Sequence, residues 1–282
     1  MTAPSLRLRR APGVVRISRP VLTTTLTGLI GAILIVVAWQ LVAVTMFTRE
    51  NGTYGAVPPP GAVLARVTQN LSDAGYWSGL AATAGSALTG YVIAVAIALV
   101  LGVAVILAPV LDAFATQLGI IAACIPVAAI SPIVVLLSPS GSRAVSVVLA
   151  VLAVVFPMII GVLLGLRATS PAQLDLVHAY GGTELTAIRR VRLISALPAF
   201  LTALKIGAPA AFLGAMTGEF FAVGVDAGVG RLLISQQYVG DYTGMWAIAL
   251  LATAVSAAGY AALAVVAAAI APWTRHVTGG RR

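Results

Sequence analysis

The sequence predicts an all-α membrane protein with six transmembrane helices, and two observations carry that prediction. Hydrophobic residues make up 60% of the 282-residue chain and charged residues only 9%, with a mean hydropathy of +1.04, far from a soluble globular domain. Apolar runs of more than 20 residues also recur along the chain, and a run of that length crosses a bilayer as a helix whose backbone groups are all bonded internally. The runs are rich in Ala, Val and Leu and lack the ten-residue alternation of a β-barrel, so helices are expected.

The first span is expected at 21–46. Arg7, Arg9, Arg10, Arg16 and Arg19 precede it, as in a secretory signal. Its apolar stretch is too long for one, and "MFTREN" offers no small-residue cleavage site, so it is read as an uncleaved anchor. The remaining spans are expected at 81–107, 113–137, 144–166, 196–223 and 244–271, the second and third joined only by "APVLD". Pro126, Pro132, Pro157 and Pro209 fall inside spans, where membrane helices tolerate prolines as kinks.

Orientation follows from the basic residues. With the N-terminus inside, twelve of the 17 Lys and Arg lie on the cytoplasmic side, among them Arg167, Arg189, Arg190, Arg192, Arg275, Arg281 and Arg282. The outer segments carry Arg49, Arg66, Arg143 and Arg231, and Lys205 lies within a span. The excess places both termini in the cytoplasm. It also accounts for the net charge of +9 through anionic membrane lipid as the partner; no basic groove with interleaved aromatics calls for nucleic acid. Cys124 stands alone inside a span and is expected as a small packing residue.

The chain lacks the parts of the common hydrolytic sites. Its one lysine, Lys205, follows "LTAL" in a span, so no Walker-type phosphate loop exists. His178 and His276, the two histidines, belong to no H-E-x-x-H motif, and no G-x-S-x-G elbow appears. No catalytic or metal-ligating residue is therefore expected, and the chain is read as a non-enzyme binding no cofactor. Of eight acidic residues, Glu219 alone is a credible intramembrane carboxylate, and such groups are functional candidates by default.

One polar stretch interrupts the apolar chain: "DLVHAYGGTELTAIRRVRLISALP", residues 175 to 198. Ser170, Pro171 and Gln173 form a capping-box pattern that starts a helix. The helix runs through "PAQLDLVHAY" and stops at Gly181 and Gly182, which permit the left-handed turn that ends helices. Leu185, Ile188 and Val191 or Arg192 then predict a second short helix. Helices of about ten residues need a surface to bury against. A cytoplasmic partner and the lipid headgroups both supply one.

This stretch resembles the cytoplasmic coupling loop of binding-protein-dependent ABC importer permeases, which opens Glu-Ala-Ala with a glycine four residues on. Asp175 stands for the glutamate, Leu176 and Val177 for the alanines, Gly181 for the glycine, and Leu197 with Pro198 for a Leu-Pro of the nitrate, sulfonate and taurine branch. An earlier Leu-Pro of the family is broken here, Leu193 being followed by Ile194. "VPPPGAVLARVTQNLSDAGYWSGLAATAGSALTGY", "IPVAAISPIVVLL", "TALKIGAPAAFLGAMTGEFF" and "GVGRLLISQQ" extend the likeness over about 55–271.

The resemblance implies the type I ABC importer permease architecture. It divides the chain into a basic cytoplasmic tail at 1–20, the anchor at 21–46, a transport domain at 78–271 with a coupling loop at 167–198, and a cytoplasmic tail at 272–282. It further implies a bacterial cytoplasmic membrane, a second permease copy or paralogue, ABC ATPase subunits carrying ATP and Mg, and an extracytoplasmic solute-binding protein. The implied cargo is a small polar solute of the nitrate, sulfonate, taurine or pyrimidine-precursor type. The altered motif leaves homodimer and heterodimer both open.

The coupling candidates are Asp175, Leu176, Val177, His178, Gly181, Gly182, Leu197 and Pro198; the pathway or gate candidates are Glu219, Met216, Thr217, Ser86 and Tyr91. For Glu219 the alternative is an interfacial acid reaching water; for His178, a pH sensor or an ordinary surface histidine. Gly161/Gly165 and Gly214/Gly218 form G-x-x-x-G pairs expected to allow close helix packing. The rival reading is a self-sufficient secondary transporter or channel, which predicts more intramembrane charge and inverted repeats.

Overall fold

The computed structural model describes residues 19–47 and 54–273. The expectations for the basic N-terminal tail up to Arg16, for Arg49, and for Arg275, His276, Arg281 and Arg282 lie outside those residues. The chain divides into two compact units, Met1–Gly61 and Ala62–Arg282. In the first, α1 (Arg19–Met46) is the expected anchor helix; Trp39 Nε1 donates to the Pro58 carbonyl at 3.0 Å and the Gly55 amide to the Phe47 carbonyl at 2.7 Å.

The helices that follow are α2 (Pro60–Leu71), α3 (Ala74–Leu107), α4 (Leu111–Cys124), α5 (Val127–Leu137), α6 (Ala144–Arg167), α7 (Pro171–Ala179), α8 (Glu184–Ala187), α9 (Leu193–Phe221), α10 (Val229–Tyr238) and α11 (Tyr242–Ile270), with a π turn at Ile188–Arg192 between α8 and α9. The protein is an all-α membrane protein, with no strand among the described residues. Among the described residues, five helices are long and apolar enough to cross a membrane, and α4 with α5 makes a sixth span if the bent pair counts as one.

Three expectations about the spans are corrected. The second begins at Ala74 rather than 81, because the Asp73 side chain accepts the Gly75 amide and caps the helix there; hydropathy marks only the lipid-facing part. The third, expected as one kinked helix, is broken by 91°. Pro126 has no N–H for the preceding turn and disfavours a helical Ile125, which is extended at ψ 115. Pro132, Pro157 and Pro209 stay inside their helices. Cys124, expected to pack, is exposed at the break.

The third correction concerns the fifth span. The short helix expected after Gly182 is not separate: an unbroken helical run extends from Glu184 to Phe221, 38 residues. "ELTAIRRVRLISAL" is made mostly of good helix formers. At 1.5 Å per residue the run is about 57 Å long, nearly twice the hydrocarbon thickness.

In lipid, helices associate through close packing rather than through the hydrophobic effect, and α6 and α9 pack along a seam of small residues. A Cβ at Gly161 would strike Ala203, and one at Gly165 would lie 2.7 Å from the Ala196 carbonyl oxygen. From the other side, a Cβ at Gly214 would lie 2.7 Å from Leu149 O and one at Gly218 2.5 Å from Ser146 Cα. Both G-x-x-x-G pairs thus serve one contact within the chain. α3 joins α6 in the same way, through Gly90 against Ala150 and Gly102 against Val162.

Ion pairs tie segments that alternating spans place at one end. Arg66 of α2 meets Asp241, the cap of α11, at 2.7 Å, and Arg143, before α6, faces Glu219 near the end of α9 at 3.5 Å. At the opposite ends of α3 and α6, Arg167 meets Asp112 at 2.8 Å. The seam gives the first prediction. Gly214→Ala meets backbone atoms that cannot yield and is expected to cost about 1–3 kcal/mol through overpacking, lowering the unfolding midpoint in detergent; Gly85→Ala, with nothing within 4 Å of the new methyl, is expected to leave it unchanged or raise it.

Candidate functional site

The polar stretch opens as a short helix capped at both ends. The Ser170 hydroxyl accepts the Gln173 amide at 3.4 Å while the Gln173 side chain accepts the Ser170 amide at 3.0 Å, the expected capping box. At the other end the Gly181 amide donates to His178 O and the Gly182 amide to Val177 O, both at 2.9 Å, a Schellman turn. Gly181 sits at φ +75, where side chains are strained. Gly182 is needed for room: a Cβ there would lie 2.8 Å from Val177 O and 2.5 Å from Val177 Cγ1.

No residue of α7 is buried. Asp175, Leu176 and Tyr180 are exposed, Leu176 at 59% and Tyr180 at 86%, while Val177 is half-buried towards the turn. His178 Nε2 lies 3.2 Å from Glu184 Oε1 across the turn; both side chains are largely solvated, so the pair contributes little stability. The structure therefore brings Asp175, Leu176, Val177, His178, Gly181 and Gly182 into one helix and turn. It places Leu197 and Pro198 apart from them, inside α9. Tyr180 was missed by sequence reasoning, and its signal was an aromatic residue set beside a double glycine.

At the other end of α9, Glu219 does not reach water: its side chain is 0% exposed. The interfacial-acid alternative is thereby overturned, because three elements converge on the carboxylate. Thr83 of α3 donates its hydroxyl to Oε1 at 2.7 Å, the Gly230 amide donates to Oε2 at 2.8 Å, and Arg143 Nη1 lies 3.5 Å from Oε1. Thr83 in turn accepts the Val229 amide at 2.8 Å, and Arg143 Nη2 donates to Ala227 O at 2.6 Å. A buried carboxylate needs such partners to remain tolerable.

The loop seats on the acid because it is glycine. Gly228 has φ +157, and a Cβ on it would run into the Glu219 carboxyl group. One on Gly230 would lie 2.5 Å from Met216 O. Sequence reasoning missed Thr83 and Arg143 as partners; an intramembrane acid signals that partners exist but not which segments supply them.

The other pathway candidates do not converge with Glu219. Ser86 is buried and donates to Ala82 O of its own helix at 3.1 Å. Tyr91 donates to Leu204 O of α9 at 3.0 Å and lines an apolar groove of about 280 Å³ between α3, α9 and α11. Met216 and Thr217 are half-buried on α9. Glu219→Ala leaves the Gly230 amide without its acceptor and the Arg143 guanidinium without its counter-charge, and is expected to destabilise the chain by about 3–5 kcal/mol. Thr83→Val is expected to cost about 1–3 kcal/mol. Thr89→Val removes only an exposed hydroxyl bonded within its own helix and is the control; thermal unfolding in one detergent ranks the three.

Residues 94–276 match the family described as "Binding-protein-dependent transport system inner membrane component". The chain is 40% identical over 115 residues to a "Probable ABC transporter permease protein" of Haemophilus influenzae, a match covering 41% of this chain and 46% of that protein, so it spans less than half of this relative. It is 26% identical over 243 residues to the "Formylaminopyrimidine transport permease protein ThiX" of Halalkalibacterium halodurans, covering 86% of this chain and 94% of that one. With a family match over more than half its length and an all-helical, multi-span fold, the chain belongs to the binding-protein-dependent transport system inner membrane components, the permease family of ABC transporters.

Proposed function

We propose that this chain is the membrane subunit of an ATP-driven importer that moves a small polar solute by alternating access, without hydrolysing ATP itself. The observation that carries the reading is the state of α7. It is capped at both ends, carries no buried residue, and is joined by one tight turn to a helical run 38 residues long. An exposed helix with Leu176 and Tyr180 on its surface suits insertion into a groove on a partner. The attached run lets motion of that partner reach the membrane as rigid-body displacement.

The partner in this reading is a separate ABC ATPase holding ATP and Mg, with a second permease copy or paralogue beside this chain and a solute-binding protein outside. The termini and α7 lie in the cytoplasm, and the membrane is the bacterial cytoplasmic one, in keeping with the distribution of arginines. Among the solutes considered, a pyrimidine-precursor type is favoured over nitrate, sulfonate or taurine, because the relative aligned over 86% of the chain carries formylaminopyrimidine in its name.

Two experiments test the proposal. Leu176→Asp and Tyr180→Ala alter exposed side chains, so the chain is expected to keep its unfolding midpoint while affinity for the co-expressed ATPase falls about tenfold or more, as for a central interface residue. Unchanged capture of the ATPase by both variants sinks the coupling role of α7. In proteoliposomes with the cognate ATPase and binding protein, ATP-dependent uptake of a formylaminopyrimidine is expected to exceed that of taurine; the reverse order discards the substrate assignment while leaving the importer reading intact.

A further inference from the structure

An apolar groove of about 270 Å³ opens between α3, α6 and the start of α9. Leu99, Val103, Leu166, Leu193, Leu197 and Phe200 line it, and Gly102 forms its floor where α3 meets Val162. Val103 is 55% exposed and Leu193 49%, so the groove opens sideways on the surface of this unit. In lipid such an opening is filled by acyl chains. Its mouth sets this groove apart from the other apolar recesses.

Ile106 and Leu166 also line a second hollow, of about 240 Å³, which continues the groove towards the end where Asp112 and Arg167 pair. Its polar lining comprises Arg167, Arg192, Thr169 and Asp112. Arg167 donates through Nε and Nη2 to Asp112 and through Nη2 to Thr116. A guanidinium has five N–H donors, so Nη1 is left for another acceptor. The Thr169 hydroxyl is buried without a hydrogen-bond partner among the described residues. Asp112 contributes one negative charge against two arginines, leaving the mouth net positive.

We propose that this groove and its mouth form a binding site for an anionic glycerophospholipid, an acyl chain lying along Leu99, Val103 and Phe200 and the phosphate held between Arg192 and Arg167. An apolar slot running into a basic mouth matches the amphiphile's own order of tail and headgroup. Basic pockets between spans are recognised headgroup sites at the cytoplasmic face, the side to which the arginines assign this end. The site adjoins the π turn that links α8 to α9, so a lipid seated there touches the connection between the exposed helix and the span. The proposal does not depend on the coupling role of α7 or on the substrate.

The test is native mass spectrometry of the full-length chain in detergent, titrated with phosphatidylglycerol or phosphatidylcholine of equal chain length. Wild type is expected to retain phosphatidylglycerol more strongly. Arg192→Gln is expected to weaken phosphatidylglycerol about fivefold, the worth of one arginine at a membrane surface, and to leave phosphatidylcholine unchanged. Val103→Trp fills the groove from an exposed position and is expected to weaken both lipids. Arg190→Gln, outside the lining, is the control, and an unchanged unfolding midpoint verifies folding of each variant. Equal retention of the two lipids by wild type overturns the proposal, as does an Arg192→Gln or Val103→Trp protein that behaves like the control. Loss of a dimer mass in Val103→Trp assigns the groove to a second copy instead and equally overturns it.

Discussion

The structure of this protein rests on how closely two helix backbones approach. Side chains gain nothing by leaving lipid for one another, so α6 and α9 are held by contact at near-backbone distance and by the internal bonding of their peptide groups. Glycine is the only residue that permits this at Gly165, Gly214 and Gly218, where a methyl group would fall within 3 Å of main-chain atoms of the opposite helix. α3 uses the same device against α6 at Gly90 and Gly102. Two polar features lie at the ends of this three-helix unit: the long run of α8, the π turn and α9 holds α7 at one end and Glu219 at the other.

How much of this was legible in the sequence depended on range. Local signals translated directly. Ser170, Pro171 and Gln173 specified a cap, and Gly181 a left-handed turn, because each acts on neighbours within a few residues. Apolar runs located the spans, since the hydrocarbon thickness sets their length, although the third is a bent pair of helices rather than one. What failed was continuity and pairing. The 91° break at Pro126 and the tolerance of Pro132, Pro157 and Pro209 look alike in sequence. The G-x-x-x-G pairs announced close packing but not against which helix.

Glu219 shows the same limit at the level of a site. Its position in an apolar span marked it as a group that must be paired, yet its partners Thr83 and Arg143 stand 136 and 76 residues away in the chain. The glycines of "GVGRLLISQQ" were visible as part of a family likeness, but their use, to lay a backbone amide on a buried carboxylate, appears only in three dimensions. In the coupling stretch the reverse holds. Leu197 and Pro198 match a family motif in sequence but lie within α9, so a motif shared along the chain is divided between an exposed helix and a packed one.

The two ends of the α9 run differ in a way that bears on mechanism. At the Glu219 end the groups converge: the carboxylate receives a hydroxyl and an amide, a guanidinium stands 3.5 Å away, and the hydroxyl receives a further amide. Such a network has few alternative arrangements, because any movement that separates α3, α9 and the Gly228–Gly230 loop leaves a charge buried without partners. At the α7 end the helix is capped within itself and carries no buried residue. Displacing it breaks the exposed His178–Glu184 contact and uncovers the half-buried Leu174, which lines a hollow with Ile106 and Leu166. Buried polar bonds thus tie one end of the α9 run to α3 and to the Gly228–Gly230 loop, the small-residue seam holds its length against α6, and α7 beyond the other end stays exposed.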